Sequence, residues 1–144
     1  MTKGDRPQRI FVINDEPVLL ALFQELLEDE GYAVTLETFN QASMDLQYAR
    51  IVEAKPDLIV LDFLIGGEML GWQFLQLLRM QRQTAKVPIV VCTAAANTVK
   101  ELAAHLAEMG VGVVLKPFAI DDLLAEIRKQ LETARDDPWA PPAS

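Results

Sequence analysis

At 144 residues, 51% of them hydrophobic, the chain is long enough for one domain with a packed core and too apolar for a disordered polymer. A formal net charge of −8, with no cluster of Lys and Arg to replace phosphate counterions, argues against direct nucleic-acid binding. The single cysteine, Cys92, excludes an internal disulfide, and the apolar run Ile10–Ile13 behind the mildly basic N-terminus is too short for a signal peptide or membrane span, so a cytoplasmic protein off the membrane is expected.

Residues 1–8 are expected to be a flexible N-terminus. Short apolar runs then alternate with amphipathic stretches. The runs Ile10–Ile13, Ala33–Leu36, Leu58–Leu61, Ile89–Cys92 and Val111–Leu115 have the length and uniformity of strands buried on both faces. The first helical pattern has Leu19, Leu22, Phe23, Leu26 and Leu27 on one face, with Pro17 suited to its first turn and Gly31 to its end. The second runs over about 41–54 and stops before Pro56. The third spans about 72–81 and carries Phe74, Leu75, Leu77 and Leu78. The fourth spans about 98–109 and ends at Gly110. The fifth starts near Asp121, a suitable N-cap, and carries Leu123, Leu124, Ile127 and Leu131. The domain is expected over 9–132, followed by a flexible tail, 133–144, that contains Pro138, Trp139, Pro141 and Pro142.

Strands alternating with helices in this way predict an α/β fold, a doubly wound parallel sheet with helices on both faces. In such sheets ligands bind beyond the carboxyl ends of the strands. Those ends carry Asn14-Asp15-Glu16 after the first run, Asp62 after the third, Cys92-Thr93-Ala94 at the fourth and Lys116-Pro117-Phe118 at the fifth. Clustered carboxylates repel and call for a hard cation. Mg²⁺ suits them, because it takes oxygen ligands and keeps several waters. An aspartate can accept a phosphoryl group as an acyl phosphate, while Mg²⁺ and a lysine offset the charge on the transferring oxygens and a threonine hydroxyl donates to one of them.

The set Asn14-Asp15-Glu16-Pro17, Pro56-Asp57-Leu58-Ile59-Val60-Leu61-Asp62, Pro88-Ile89-Val90-Val91-Cys92-Thr93-Ala94 and Lys116-Pro117-Phe118 resembles the receiver domain of two-component response regulators over about 9–132. Each piece alone is weak; all four in order are specific. The resemblance implies a flavodoxin-like, chemotaxis-regulator-like sheet of five parallel strands in the order 2-1-3-4-5. It implies Asp62 as phosphoacceptor, Thr93 as switch hydroxyl and Lys116 as the phosphoryl contact, with Lys116–Pro117 a cis peptide. Mg²⁺ is then expected on Asp15, Asp62 and the backbone carbonyl of Leu64, with Asn14 and Glu16 in its outer shell. The partners implied are a histidine kinase or phosphotransfer protein and a downstream protein effector. The implied role is that of a stand-alone signalling domain, which assists its own phosphotransfer without being an enzyme.

Three positions depart from the family pattern. Asn14 stands where a second carboxylate is usual, which should weaken Mg²⁺ binding. The loop from Ile65 to Gly71 lacks the usual proline and contains Gly66-Gly67. Val113 stands three residues before Lys116, where an aromatic ring is common, and a valine has no ring to swing. An alternative is therefore a binding module of receiver fold that is never phosphorylated. A haloacid dehalogenase-type phosphohydrolase is disfavoured, because the second residue after Asp62 is Leu64 and not an acid. A flavin site is disfavoured by acidic residues where a phosphate needs donors. His105, the only histidine, reads as a surface or helix-packing residue. Val18 and Ala21, outside the apolar stripe of the first helix, could line a docking strip for a kinase hairpin, as in the family, or be scattered surface residues.

Overall fold

The computed structural model describes residues 7–39, 43–63, 68–134 and 137–139. Strands β1 (Arg9–Asn14), β2 (Ala33–Thr38), β3 (Leu58–Leu61), β4 (Ile89–Thr93) and β5 (Gly112–Leu115) alternate with helices α1 (Pro17–Asp29), α2 (Met44–Ala54), α3 (Leu70–Met80), α4 (Ala96–Glu101), α5 (Ala103–Met109) and α6 (Ile120–Thr133). The strands form one parallel sheet in the order β2-β1-β3-β4-β5, as expected.

Strand residues alternate between two cores because successive side chains point to opposite faces. Phe11, Ile13, Ile59, Leu61, Ile89 and Val91 pack with Ile51 of α2, Phe74, Leu75 and Leu78 of α3 and Leu106 of α5. Ile10, Val12, Leu58, Val60, Val90, Cys92 and Val114 pack with α1 and α6. The uniform apolar character of β1, β3 and β4 thus reports burial on both faces. β2 departs from that expectation: it pairs only with β1, and its residues are exposed or half-buried.

Pro17 opens α1, and Gly31, at φ +90°, closes the turn after it. On α1 the residues buried are Leu20, Phe23 and Leu27; Leu22, assigned to the apolar stripe, is 39% exposed, and Val18 is 84% exposed. α2 begins at Met44, with Ser43 Oγ accepting from the Leu46 amide at 3.0 Å. α6 is capped by Ala119, not Asp121; Asp121 and Asp122 sit in its first turn, where carboxylates meet the positive end of the helix dipole.

The expected fourth helix is two helices. The chain breaks at Leu102, leaving α4 without a buried residue and α5 anchored by Leu106. Arg79 of α3 donates to the carbonyls of Met109, Thr84 and Val87 at 3.0, 3.2 and 2.7 Å and so ties the end of α5 to the turn before β4. Burial lowers its pKa to about 10, which still leaves the guanidinium charged at neutral pH. Trp139, placed by its sequence in the tail, is half-buried against the α2–α3 side of the sheet.

Candidate functional site

Because β1, β3, β4 and β5 run parallel, their carboxyl ends open on one edge of the sheet. β1 delivers Asn14 and Asp15 there, β3 delivers Asp62, β4 ends in Thr93 and β5 leads into Lys116. Asp62 and Thr93 are buried, while Asp15 and Lys116 are half-buried and Glu16 is exposed. Lys116 Nζ reaches Asp62 Oδ2 at 2.8 Å. The Lys116 amide donates to the Thr93 carbonyl at 2.9 Å, and the Lys116–Pro117 peptide is cis. Phe118 stacks on Phe23 of α1, with ring centroids 6.1 Å apart, so the turn bearing Lys116 rests on the α1 layer.

Thr93 Oγ1 accepts from the Ala95 amide at 3.2 Å, which holds the hydroxyl on the turn leading into α4. Asn14 Oδ1 accepts from the Glu16 amide at 2.9 Å, so this oxygen shapes the turn into α1. Leu64 and the Gly66-Gly67 pair lie outside the described residues. Among the described residues no three His, Cys, Asp or Glu side chains gather to hold a metal. Mg²⁺ needs no such cage, since one or two carboxylates and water satisfy it, and Asp15 and Asp62 supply hard oxygen donors of that kind.

The close packing of Gly71 and the ring contact of Phe63 were not singled out by sequence reasoning. Gly71 packs so closely beneath Asp62 that an added Cβ would lie 1.6 Å from the Asp62 carbonyl oxygen, and its amide donates to the Phe63 carbonyl at 3.0 Å. A glycine at a helix start was the available signal. Phe63, directly after Asp62, meets Trp72 edge-on at 5.6 Å, and Trp72 stacks with His105 of α5 at 6.2 Å. Val113 is half-buried in the same cluster. Burial pushes the Cys92 thiol up to about 11; Lys116 opposes the shift and Asp62 adds to it. The thiol therefore stays protonated and is a poor nucleophile at neutral pH.

The sequence pattern of the response regulator receiver domain matches residues 10–128. The chain is 33% identical over 131 residues to the DNA-binding response regulator MtrA of Mycolicibacterium smegmatis, covering 91% of this chain and 54% of that protein. It is 32% identical over 130 residues to the phosphate regulon transcriptional regulatory protein PhoB of Rhizobium meliloti, covering 90% and 54%. The chain thus spans about half the length of these relatives. The crystal structure of a sensor protein from Polaromonas sp. JS666 shares the fold, with a TM-score of 0.74 at 20% identity, over 88% of this chain and 98% of that one.

Proposed function

The chain belongs to the response regulator receiver family, a signalling domain of two-component systems, and from that premise we propose that it accepts a phosphoryl group on Asp62 and signals through protein contacts. The observation that carries this is the 2.8 Å contact between Lys116 and Asp62 above the end of β4, which brings a carboxylate and an ammonium together beside Thr93.

In this reading a carboxylate oxygen of Asp62 attacks the phosphorus of a phosphohistidine on a kinase or phosphotransfer protein. The new bond is an acyl phosphate, and the departing imidazole nitrogen takes the electron pair. Lys116 holds Asp62 by its Oδ2 and stays close to the phosphoryl oxygens, whose charge it offsets. Thr93 lies one strand away, and its hydroxyl can leave the Ala95 amide to donate to a phosphoryl oxygen. Mg²⁺, held by Asp15 and Asp62 with the Leu64 carbonyl and water, would supply further charge neutralisation when bound. Asn14 and Glu16 would lie in its outer shell.

The output would pass to a downstream protein effector, with neither nucleic acid nor membrane as a direct partner. Among the described residues no helix is long and apolar enough to cross a membrane.

The test is incubation with acetyl phosphate and Mg²⁺. The parent chain should gain one acid-stable, base-labile phosphoryl group, and Asp62→Asn should gain none. Equal labelling of both chains would remove Asp62 as acceptor. No labelling of the parent, by acetyl phosphate or by phosphorylated kinase, would leave a receiver-fold binding module.

A further inference from the structure

Beyond α6, the described residues Asp137–Trp139 are tied into the fold at the end of β3 opposite to the site at the carboxyl ends of the strands. α6 packs on the face that holds Ile10 and Val12. Trp139, a few residues past the end of α6, packs with the cluster on the other face, which contains Ile51 of α2 and Ile59 of β3. α6 and Trp139 therefore pack on opposite faces of the sheet.

The seat is specific. The indole N–H of Trp139 donates to the Pro56 carbonyl at 2.7 Å, across 83 residues of sequence. The backbone amide of Trp139 donates to Asp137 Oδ1 at 3.0 Å, an Asx turn around Pro138 that presents the indole. Pro56 itself lies in a turn fixed on both sides. Lys55 before it is left-handed, at φ +49°, and its amide donates to the Ile51 carbonyl at 2.9 Å. Asp57 after it donates from its amide to the Arg9 carbonyl and accepts the Arg9 amide on Oδ2, both at 2.8 Å.

An indole has one polar group and a large apolar surface, so a site with one aligned carbonyl beside apolar side chains matches it chemically. A short tether raises the effective concentration of the side chain at its seat to about the millimolar range, so a weak indole site is filled in cis.

We propose that the turn Lys55–Asp57, with the apolar surface behind it, is a docking site for an indole. Its occupant is Trp139 of the same chain, and Asp137–Trp139 is a latch that holds α2 to the base of β3. The latch lies at the other end of β3 from Asp62 and does not depend on phosphorylation.

The test uses the full chain labelled with 5-fluorotryptophan, its two fluorine resonances assigned with Trp72→Phe and Trp139→Phe. The Trp139 resonance should differ from that of a labelled peptide of residues 137–144 and should not change with protein concentration. A resonance at the peptide position would overturn the docking. A displaced resonance that appears only as concentration rises would overturn the assignment in cis, because a second copy would then be filling the seat. Amide exchange tests the latch itself: Trp139→Ala should speed exchange at Lys55 and Asp57 about tenfold and leave Ile127 of α6 unchanged. Trp139→Phe, which keeps a ring but loses the N–H, should fall between. Unchanged exchange at Lys55 and Asp57 in Trp139→Ala would overturn the latch.

Discussion

Lys116 and Asp62 meet at 2.8 Å although their strands are not neighbours in the sheet: β4 lies between β3 and β5, so the lysine crosses over the end of the strand that carries Thr93. Lys116→Met should keep the long apolar stem and remove only the charge. Removing a group that stabilises charge on transferring oxygens costs about 100-fold in rate. Acyl phosphate formation from acetyl phosphate should fall by about that factor while the circular dichroism spectrum stays unchanged. An unchanged rate would show that Lys116 is a structural partner of Asp62 only.

Asn14→Asp keeps an oxygen where Asn14 Oδ1 accepts the Glu16 amide, so the turn into α1 should survive. The substitution adds one negative charge at the mouth that holds Asp15. Mg²⁺ affinity should tighten by roughly 1–2 kcal/mol, below a bare Coulomb figure because water screens the pair. Trp72 meets Phe63, the residue after Asp62, edge-on, which makes tryptophan fluorescence a suitable readout of the titration. Unchanged or weaker binding would remove Asn14 as a determinant of affinity.

Gly71→Ala places a Cβ 1.6 Å from the Asp62 carbonyl oxygen and 2.9 Å from that of Phe63, both backbone atoms with little room to yield. Overpacking of this kind costs about 3 kcal/mol. The unfolding midpoint should drop by about 10 °C, and phosphorylation should slow, because the strained segment is the one that bears the acceptor. A midpoint within 2–3 °C of the parent, about 1 kcal/mol, would mean that α3 shifts away at little cost.

Cys92 should make stability fall at alkaline pH. Its thiol ionises at 9.0 in the unfolded reference and, through burial, only near 11 in the fold. As pH rises past 9 the unfolded chain releases a proton that the folded chain keeps, so the unfolded state gains. The loss should reach about 1 kcal/mol by pH 10, at about 1.4 kcal/mol per pH unit. Urea denaturation of the parent and of Cys92→Ala at pH 8 and 10 isolates the contribution of the thiol. The variant starts less stable but should lose less between the two pH values. Equal losses would assign the alkaline slope to other groups, Tyr32 among them, whose pKa burial also raises.

Much of the fold was legible in local pattern. The apolar runs of β1, β3 and β4 are short and unbroken because both faces of those strands are covered, and the strand-end residues Asp62, Thr93 and Lys116 followed once the runs were placed. Pattern reading failed where neighbours in space override it. β2 has an apolar run yet is half-exposed, because its place at the sheet edge is decided by pairing with β1 alone. On α1, Leu20 packs into the core beneath the helix while Leu22 is exposed. The Leu102 break was also hidden, since both halves of 98–109 have helical sequence and the division comes from α5 being held by Leu106 and Arg79 while α4 has no fully buried residue.

The sequence by itself determined the alternation of strands and helices, and with it which residues stand at the carboxyl ends of the strands, because both depend on periodicity and on neighbours in the chain. Only the tertiary structure decided that Lys116 reaches Asp62 over β4, that Asn14 Oδ1 is bound to the Glu16 amide, that Gly71 lies against the Asp62 carbonyl and that Trp139 seats on Pro56. Two of these, Lys116 with Asp62 and Trp139 with Pro56, join residues far apart in sequence, and whether such groups meet depends on how the layers pack, which no local window of the chain encodes.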